Sequence, residues 1–311
     1  MKIQSLGLLS MALIIGGCST NDHLSDKGDN IPLGVSSASL CVLSTRASTP
    51  VTDEGSELRV FRLATNGYSA ANTVFKYASA SGWGYEDKNP VIYLNSAEAH
   101  VCAITPAISG MTAPDNLSLT AQAYSSLQDL CYSSLSTCTN TSPSTSFSDM
   151  QRAYSEITLS ITKDDSYNGT GSITKTSILG DEIYNTAALN ITSGSAVYGS
   201  QSATAEVASS QTLTLSTTAV TQGFLVIPVT ALSSSKKITL SLTVDGKVMS
   251  CTINPGLDTG FTTFTSLTAG KNYTINLVVK GTALSVSSVS VNPWTSVPVN
   301  NTNPLNPTPV V

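Results

Sequence analysis

Residues 238–253, ITLSLTVDGKVMSCTI, carry the clearest secondary-structure pattern in the chain. On both sides of Asp245-Gly246, apolar residues alternate with serine, threonine and other polar residues. In a strand, successive side chains point to opposite faces, so this period of two predicts one buried and one polar face. Asp-Gly is a dipeptide that favours the two-residue type I′ turn. The stretch therefore predicts a β-hairpin.

The same alternation recurs along the chain. In MQRAYSEITLSIT (150–162), the residues Ile157, Leu159 and Ile161 share one face of a predicted strand. Further strands are predicted in ELRVFRLAT (57–65), NPVIYLNSAEAHVCAITPA (89–107), GFLVIPV (223–229) and AGKNYTINLVVKGTALSVSSVSVNPW (269–294). The main helical pattern is weak and lies around 120–131. The pattern predicts an all-β protein with two sandwich-like domains.

The amino end carries a short apolar segment, SLGLLSMALIIGG (5–17), followed directly by Cys18. The segment is too short to span about 30 Å of hydrocarbon. With small residues before the cysteine it resembles a bacterial lipoprotein signal, in which the chain is cut before Cys18 and the thiol is acylated. Residues 1–17 are therefore predicted to be a signal peptide, and the mature chain to be tethered to a membrane. The alternative is an ordinary signal peptide with an incidental cysteine.

Composition and motifs argue against several classes of function. Only 11% of residues are charged and the pI is about 4.9, which does not favour a nucleic-acid partner. The two histidines, His23 and His100, have no evident catalytic partners, and no hydrolase, zinc-protease or nucleotide-binding motif occurs. DDSYNGTGSITK begins like a calcium loop but has Lys175 where the closing acid belongs. We predict no catalytic residues, metal or cofactor, and hence no enzyme.

Six cysteines are present, an odd number once Cys18 is lipidated. Cys131 and Cys138 bracket the short polar segment YSSLST, and we predict a disulfide between them. Cys102 and Cys251 are interpreted as small buried side chains. The pairing of those two is left open.

Four pieces of the second half resemble the fimbrillins, the subunits and anchors of Bacteroidales pili. They are MQRAYSEITLSIT, GFLVIPV, ITLSLTVDGK and LTAGKNYTINLVV with the closing VNPW. The first half is similar more loosely, through ELRVFRL and AHVCAITPA. The resemblance spans most of residues 38–296.

The resemblance implies two transthyretin-like β-sandwich domains in tandem, at 47–149 and 150–296. It also implies a lipidated precursor at the outer membrane, which a trypsin-like protease cuts after an arginine to remove the first strand. A neighbouring subunit then supplies a replacement strand, and the product is a cell-surface fimbrium that supports adhesion to a host or bacterial surface ligand. Such strand addition uses backbone hydrogen bonds for affinity and alternate side chains for specificity.

Arg46 matches the processing arginine. It follows a predicted isolated strand, 38–45, and lies in the small polar context STRAST. The mature chain would then begin at Ala47, and segment 18–46 would be a tether and a removable first strand. Cleavage there would also discard Cys18 and Cys41 and leave an even number of cysteines. The alternative is an ordinary arginine at the end of a strand.

The carboxy-terminal tail, 297–311, is the candidate donor strand. Val297, Val299, Leu305 and Val311 share one parity and could enter a single groove. Four prolines interrupt the tail, and each lacks the N–H group needed for a ladder hydrogen bond. This departure leaves open a tip or anchor subunit whose tail is not a donor.

A surface glycan-binding lipoprotein is the competing function. Trp83 and Tyr85 in SGWGYED could form a platform for a sugar ring. Aromatic residues are only 6% of the chain, which argues against this hypothesis. The structural alternative is that both rings pack locally.

Overall fold

The computed structural model describes residues 30–42, 47–87, 89–202, 206–281 and 283–294. These residues form β-strands and no helix, which confirms the predicted all-β class. Consequently, no helix within these ranges could cross a membrane. The tandem transthyretin-like arrangement stays a prediction.

The first half of the chain contributes thirteen strands. They are β1 (Ile31–Pro32), β2 (Gly34–Val42), β3 (Ala47–Pro50), β4 (Glu57–Arg62), β5 (Ala71–Ala78), β6 (Gly82–Tyr85), β7 (Tyr93–Leu94), β8 (Ala99–Thr105), β9 (Leu117–Thr120), β10 (Gln122–Ala123), β11 (Cys131–Tyr132), β12 (Ser136–Cys138) and β13 (Ser144–Arg152). Nine of them form one sheet in the order β3-β2-β13-β11-β8-β4-β5-β6, with β12 also paired to β8. A separate short pair joins β1 to β7.

The second half contributes the remaining strands. They are β14 (Ser155–Lys163), β15 (Ser172–Gly180), β16 (Thr186–Asn190), β17 (Val197–Gly199), β18 (Val207–Ser209), β19 (Leu213–Thr214), β20 (Val220–Val226), β21 (Ile238–Val244), β22 (Lys247–Ile253), β23 (Lys271–Lys280) and β24 (Ala283–Pro293). One sheet has the order β10-β20-β14-β23-β24, and another has the order β18-β15-β21-β22 with β19 beside β15. A third, smaller sheet has the order β17-β16-β9.

Strands β9 and β10 belong to the first half of the sequence but pair with strands of the second half. Leu117–Thr120 lies against β16, and Gln122 and Ala123 lie opposite Leu225 and Phe224 of β20. The helix suggested by the weak pattern around 120–131 is therefore not present. These residues form short strands joined by turns. Their backbone groups are satisfied by strand partners far along the chain, which a local pattern does not reveal.

The predicted hairpin at 238–253 is confirmed. β21 pairs antiparallel with β22 from Ile238↔Ile253 to Val244↔Lys247. Asp245 and Gly246 have φ values of 47° and 77°, the left-handed conformation that a type I′ turn needs at both central positions.

Buried apolar side chains form two clusters. One comprises residues between Leu33 and Met150, all from the first half. The other lies mainly in the second half but also takes in Phe61, Cys102 and Ile104. Because neighbouring residues of β4 and β8 point to opposite faces, the nine-stranded sheet contributes to both clusters. The sheet is thus buried on both faces at its centre, and the two halves pack directly against each other.

Candidate assembly groove

Strand β2 occupies a slot between β13 and β3, which we call the β2 slot. β2 runs parallel to β13, from Gly34↔Ser144 to Leu40↔Met150, and antiparallel to β3, from Ser39↔Pro50 to Val42↔Ala47. It therefore has ladder partners on both sides. The strand predicted at 38–45 is present but is displaced: it begins four residues earlier and ends at Val42.

Four buried side chains, three in β2 and one directly before it, reach the core. Leu33, Val35, Ala38 and Leu40 are all less than 9% exposed and belong to the same cluster as Phe147 and Met150 of β13. Their spacing of two, three and two residues departs from strict alternation because the register with β13 shifts between Val35 and Ser37. Ser36 and Ser37 consequently both face solvent. Each fully buried Leu or Val stabilises the packed state by roughly 1.5–3 kcal/mol.

The beginning of β2 is held by side-chain and backbone hydrogen bonds. Tyr85 donates its hydroxyl to the carbonyl oxygen of Leu33 at 2.6 Å, and burial raises the pKa of Tyr85 to about 12. The Leu33 amide donates to Ile92 at 2.8 Å, and the Gly34 amide donates to Pro143 at 2.8 Å. A Cβ at Gly34 would lie 3.4 Å from Ser144 Oγ, an ordinary van der Waals contact, so the parallel pairing does not by itself require a glycine here.

The other end of β2 leads to the predicted processing site. Residues 43–46, which include Arg46, lie outside the described residues, and Ala47 is the first residue of β3. β3 is the end strand of its sheet and pairs only with β2 among the described strands. Loss of β2 would therefore leave both β3 and one edge of β13 without a ladder partner.

A buried ion pair lies at the end of β13, whose last residue is Arg152. Arg152 donates from Nε to Oδ2 of Asp129 at 3.0 Å, and both side chains are at most 4% exposed. Burial raises the pKa of the Asp129 carboxyl, while the Arg152 guanidinium acts in the opposite direction. We assign the pair as charged, because the guanidinium keeps its proton and a neutral carboxyl would lose the charge-assisted bond.

The same arginine holds the end of β24. Arg152 Nη1 donates to the carbonyl oxygen of Trp294 at 3.1 Å, and the guanidinium carbon lies 4.5 Å from the centroid of the indole ring. The Trp294 amide donates to Gly270 at 3.1 Å, and Tyr124 packs against the indole with ring centroids 6.0 Å apart. Arg152 therefore fixes the point from which the carboxy-terminal tail leaves.

A small cleft connects this anchor to the β2 slot. It is lined by Cys41, Gln151, Arg152, Ala269 and Gly270. Cys41 is near the end of β2, and Gly270 accepts the hydrogen bond from Trp294. The origin of the tail and the end of β2 are thus neighbours in the fold.

The second buried carboxyl near the ion pair is Glu156 of β14. Burial raises its pKa to about 7, against which a hydrogen bond from Asn272 Nδ2 at 2.5 Å acts. Gly223 leaves room for this carboxyl, because a Cβ there would lie 2.9 Å from Glu156 Oε1. Reasoning from the sequence missed Asp129 and Glu156. The signal for Asp129 was a single acid in the otherwise uncharged and mostly apolar segment LQDLCY.

The predicted disulfide between Cys131 and Cys138 is wrong. Both thiols are free and buried. Cys131 lies opposite Thr105 and Cys138 opposite Ala99 on the same strand, β8. That register separates them by about 20 Å at ~3.3 Å per residue, whereas a disulfide needs Cα atoms within ~7 Å.

The segment between these two cysteines is not a compact loop but continues along β8. Burial raises the pKa of the Cys131 thiol and that of Cys102, the latter to about 12. Neither is a reactive thiol. Cleavage after Arg46 would leave an even number of cysteines, which favoured that site only if the cysteines form disulfides. Because Cys131 and Cys138 are not paired, the number of cysteines no longer supports processing at Arg46.

The aromatic pair Trp83 and Tyr85 packs locally. Trp83 meets Tyr77 edge-on with ring centroids 5.4 Å apart, and Tyr85 lies 4.4 Å from Phe75. The Tyr85 hydroxyl is engaged with β2, as described above. Among the described residues, no group of three or more His, Cys, Asp or Glu side chains converges. Cys18 and the tail residues Val297, Val299, Leu305 and Val311 lie outside the described residues.

Two solved structures from Bacteroides species share this fold at low sequence identity. A candidate cell adhesion protein from Bacteroides uniformis has 16% identity and a TM-score of 0.59, with 86% of this chain and 100% of that chain covered. One from Bacteroides ovatus has 13% identity and a TM-score of 0.58, with 86% and 99% covered. The fimbrial anchor protein Mfa2 from Porphyromonas gingivalis has 14% identity and a TM-score of 0.45, with 85% and 98% covered.

No curated protein matches the sequence. The fimbrillin-like family model, in contrast, matches residues 45–294, which is most of the chain. The match begins beside the predicted processing arginine and ends at Trp294, the residue that Arg152 holds. The predicted resemblance is confirmed, and the chain belongs to the fimbrillin-like family.

Proposed function

We propose that this protein is a structural subunit of a cell-surface pilus that is exported as a lipoprotein and polymerised by strand exchange, and that it is not an enzyme. Membership of the fimbrillin-like family supports a fimbrial role at the cell surface. Delivery would use a lipid on Cys18, and cleavage after Arg46 would release that anchor together with β1 and β2. The partners would be other pilus subunits and a ligand on a host or bacterial surface.

The observation that carries the proposal is the construction of the β2 slot. β2 and the residue before it, Leu33, bring four buried side chains into the core. In sequence it reaches the rest of the fold only through residues 43–46, the segment that contains Arg46. One cut there would turn β2 into a separable strand. Removing it would expose apolar pockets and unpaired backbone, a template for a new strand.

The tail would supply the replacement strand in a neighbouring subunit. Ladder hydrogen bonds contribute ~0.5–1.5 kcal/mol each and buried Val or Leu side chains ~1.5–3 kcal/mol each. Because four prolines remove ladder donors, the side chains of Val297, Val299 and Leu305 would dominate. The subunit would consist of two tandem transthyretin-like domains, divided near residue 149, with the β2 slot in the first domain and the tail after the second.

The decisive experiment compares three variants. The first lacks residues 297–311, and the second carries both Val299→Asp and Leu305→Asp. The third, Asn300→Asp, is the matched control. In native cells, the first two should fold and be cleaved but fail to form ladders that resist mild detergent. The control should assemble. Normal polymers from the truncated chain would rule out the tail as donor and favour a tip or anchor subunit.

Two further measurements test delivery and processing. Cys18→Ser should abolish labelling by a fatty-acid analogue, and equal labelling of both chains would refute lipidation. Sequencing of the amino end of the assembled protein should give Ala47, and a start at Cys18 in the polymer would refute processing.

A further inference from the structure

The chain contains two Asn-Gly pairs, Asn66-Gly67 and Asn168-Gly169, and both lie within the described residues. In such a pair the amide nitrogen of the glycine can attack the side-chain carbonyl carbon of the asparagine, because glycine has no Cβ to obstruct the approach and a flexible backbone. The two pairs differ in how the fold holds the reacting groups.

The first pair is locked in a turn. Asn66 and Gly67 have φ values of 53° and 85°, and the Tyr68 amide closes the turn by donating to Thr65 at 2.9 Å. The side-chain amide of Asn66 is also engaged, since Nδ2 donates to the carbonyl oxygen of Glu98 at 2.9 Å. Attack on the side chain requires rotation about the Cα–C bond of the asparagine and loss of this hydrogen bond. The closed turn opposes the first and the bond opposes the second.

The second pair has neither constraint. Asn168 is exposed, and its φ lies outside the left-handed region. Among the residues that the structure describes, neither the Asn168 side-chain amide nor the Gly169 N–H has a hydrogen-bond partner. The attacking nitrogen and the side-chain carbonyl of this pair can therefore approach each other without breaking a contact.

The backbone that follows Asn168 is held firmly. Lys163 Nζ donates to the carbonyl oxygen of Gly169 at 3.2 Å. A Cβ at Gly169 would overlap Asp245 Oδ2 and lie 2.6 Å from the Tyr167 hydroxyl oxygen, so the glycine backbone packs directly against both groups. Tyr167 in turn donates to Asp245 at 2.7 Å. Gly169 consequently has no room to move without disturbing the contacts of Asp245.

We propose that Asn168 is a site of spontaneous deamidation, and that its isoaspartate product releases the segment 164–172 from Asp245. The Gly169 nitrogen forms a bond to Cγ of Asn168, the Cγ–Nδ2 bond breaks, and the amide proton leaves with the side-chain nitrogen as ammonia. Water then opens the resulting succinimide at either carbonyl, which gives aspartate or isoaspartate. The net change consumes one water and releases one ammonia, and it is independent of the proposed function.

The consequence follows from the geometry of the product. Isoaspartate adds one methylene group to the backbone directly before Gly169. Because Gly169 is packed against Asp245, the longer backbone must displace it. The new carboxylate also adds negative charge to a segment that is held by the Asp245 carboxylate, and like charges repel.

Timed incubation of the folded full chain at mildly alkaline pH tests the selectivity. Peptide mass mapping, with enzymatic methyl labelling of isoaspartate, measures the modification at both asparagines. We expect at least tenfold more at Asn168 than at Asn66. The same chain incubated in urea is the control, and there the two sites should react at similar rates because the turn around Asn66 is lost. Equal modification in the folded chain, or an undiminished difference in urea, would overturn the structural assignment.

Asn168→Gln tests the consequence, with Asn66→Gln as the matched control. The longer side chain of glutamine has to close a larger ring, so each variant should resist modification at its own site. After incubation, the wild type and Asn66→Gln should unfold at a lower temperature and be cleaved faster by protease within 164–172. Asn168→Gln should keep the values of fresh protein. An equal fall in all three chains, or modification of Asn168 without any fall, would overturn the release of the segment.

Discussion

The guanidinium of Arg152 lies 4.5 Å from the ring centroid of Trp294 and donates to the carbonyl oxygen of that same residue at 3.1 Å. The two residues are 142 positions apart in the sequence. Through this contact, the end of β13 and the end of β24 are joined at one point, with the counter-ion Asp129 fully buried behind it. The wall of the β2 slot and the start of the tail therefore depend on one side chain.

Replacement of Arg152 by Met should destabilise the protein strongly. The variant leaves the Asp129 carboxylate buried without a counter-ion, which costs about 3–5 kcal/mol. Adding Asp129→Asn should restore part of that loss, because the remaining group is neutral. Urea unfolding measures both variants, and equal midpoints for the single and double variants would contradict the assignment of a charged pair.

Arg62→Met is the matched control for that experiment. Like Arg152, Arg62 lies over an aromatic ring, 4.6 Å from the Tyr68 centroid, and donates to backbone carbonyls, those of Ser69 and Tyr93. Among the described residues it forms no ion pair with a buried carboxylate, so its removal should cost only about 1–2 kcal/mol. The difference between the two arginines then measures the effect of burying the carboxylate.

Glu156 should make stability fall as the pH rises from about 4.5 to about 7. Its pKa is raised from 4.5 to about 7 in the folded protein, so the folded state binds more protons than the unfolded state within this window. The contribution of Glu156 to the free energy of unfolding is fully present below its pKa in the unfolded chain. It is lost as the pH rises to its pKa in the folded protein, and the total loss is up to about 3 kcal/mol. Glu156→Gln should remove this slope and raise stability above pH 7.

The control for this pH effect is Glu206→Gln. Glu206 is exposed, and a hydrogen bond from Lys175 holds its pKa below the usual value. Unfolding free energies at several pH values should show the slope in this control and not in Glu156→Gln. An identical slope in both variants would assign the effect to another group.

Leu40→Ala should weaken the hold on β2 in the intact, uncut chain. Leu40 is 2% exposed, and its truncation leaves a cavity that costs about 2–5 kcal/mol. Ser37→Ala changes an exposed residue of the same strand and should stay within about 0.5 kcal/mol. Amide hydrogen exchange of β13 should accelerate in Leu40→Ala alone; unchanged protection there would mean that β2 does not shield its neighbour.

Asp245→Ala should lower the unfolding temperature by removing four acceptor interactions at once. Asp245 accepts from the Tyr167 hydroxyl at 2.7 Å, from the amides of Gly171 and Ser172 at 2.9 Å, and from the Thr170 hydroxyl. These bonds, led by that from Thr170, hold the pKa of the carboxyl well below its usual range. Alanine also disfavours the φ of 47° at this position.

Asp245→Asn should lie between the wild type and Asp245→Ala, because asparagine tolerates the left-handed conformation and keeps one acceptor oxygen. Asp87→Ala, in an exposed turn, is the control for removal of a surface carboxylate. Thermal unfolding followed by circular dichroism ranks the three. Equal unfolding temperatures for Asp245→Ala and Asp87→Ala would show that the Asp245 carboxylate does not stabilise the segment 164–172.

The features that the sequence by itself determined are local ones. The hairpin at 238–253 follows from alternation and an Asp-Gly turn, because both signals arise within a few residues of the backbone they shape. The all-β class follows from the repetition of such patterns. The fimbrillin-like family was recognised from the resemblance of four pieces of the second half to that family, which the family match confirms.

The tertiary structure alone decided which distant segments meet. The parallel pairing of β2 with β13 joins residues about 110 positions apart. For this reason the local sequence pattern did not predict that β2 begins at Gly34, nor that a register shift interrupts the alternation of its buried side chains. Cys131 and Cys138 are close in sequence yet pair with opposite ends of β8, because the extended chain between them follows that strand for about 20 Å. Asp129, Arg152 and Trp294 likewise come from three separate chain segments, which meet only in the packed core. Their contact is needed there because a buried charge is stable only beside a partner of opposite charge.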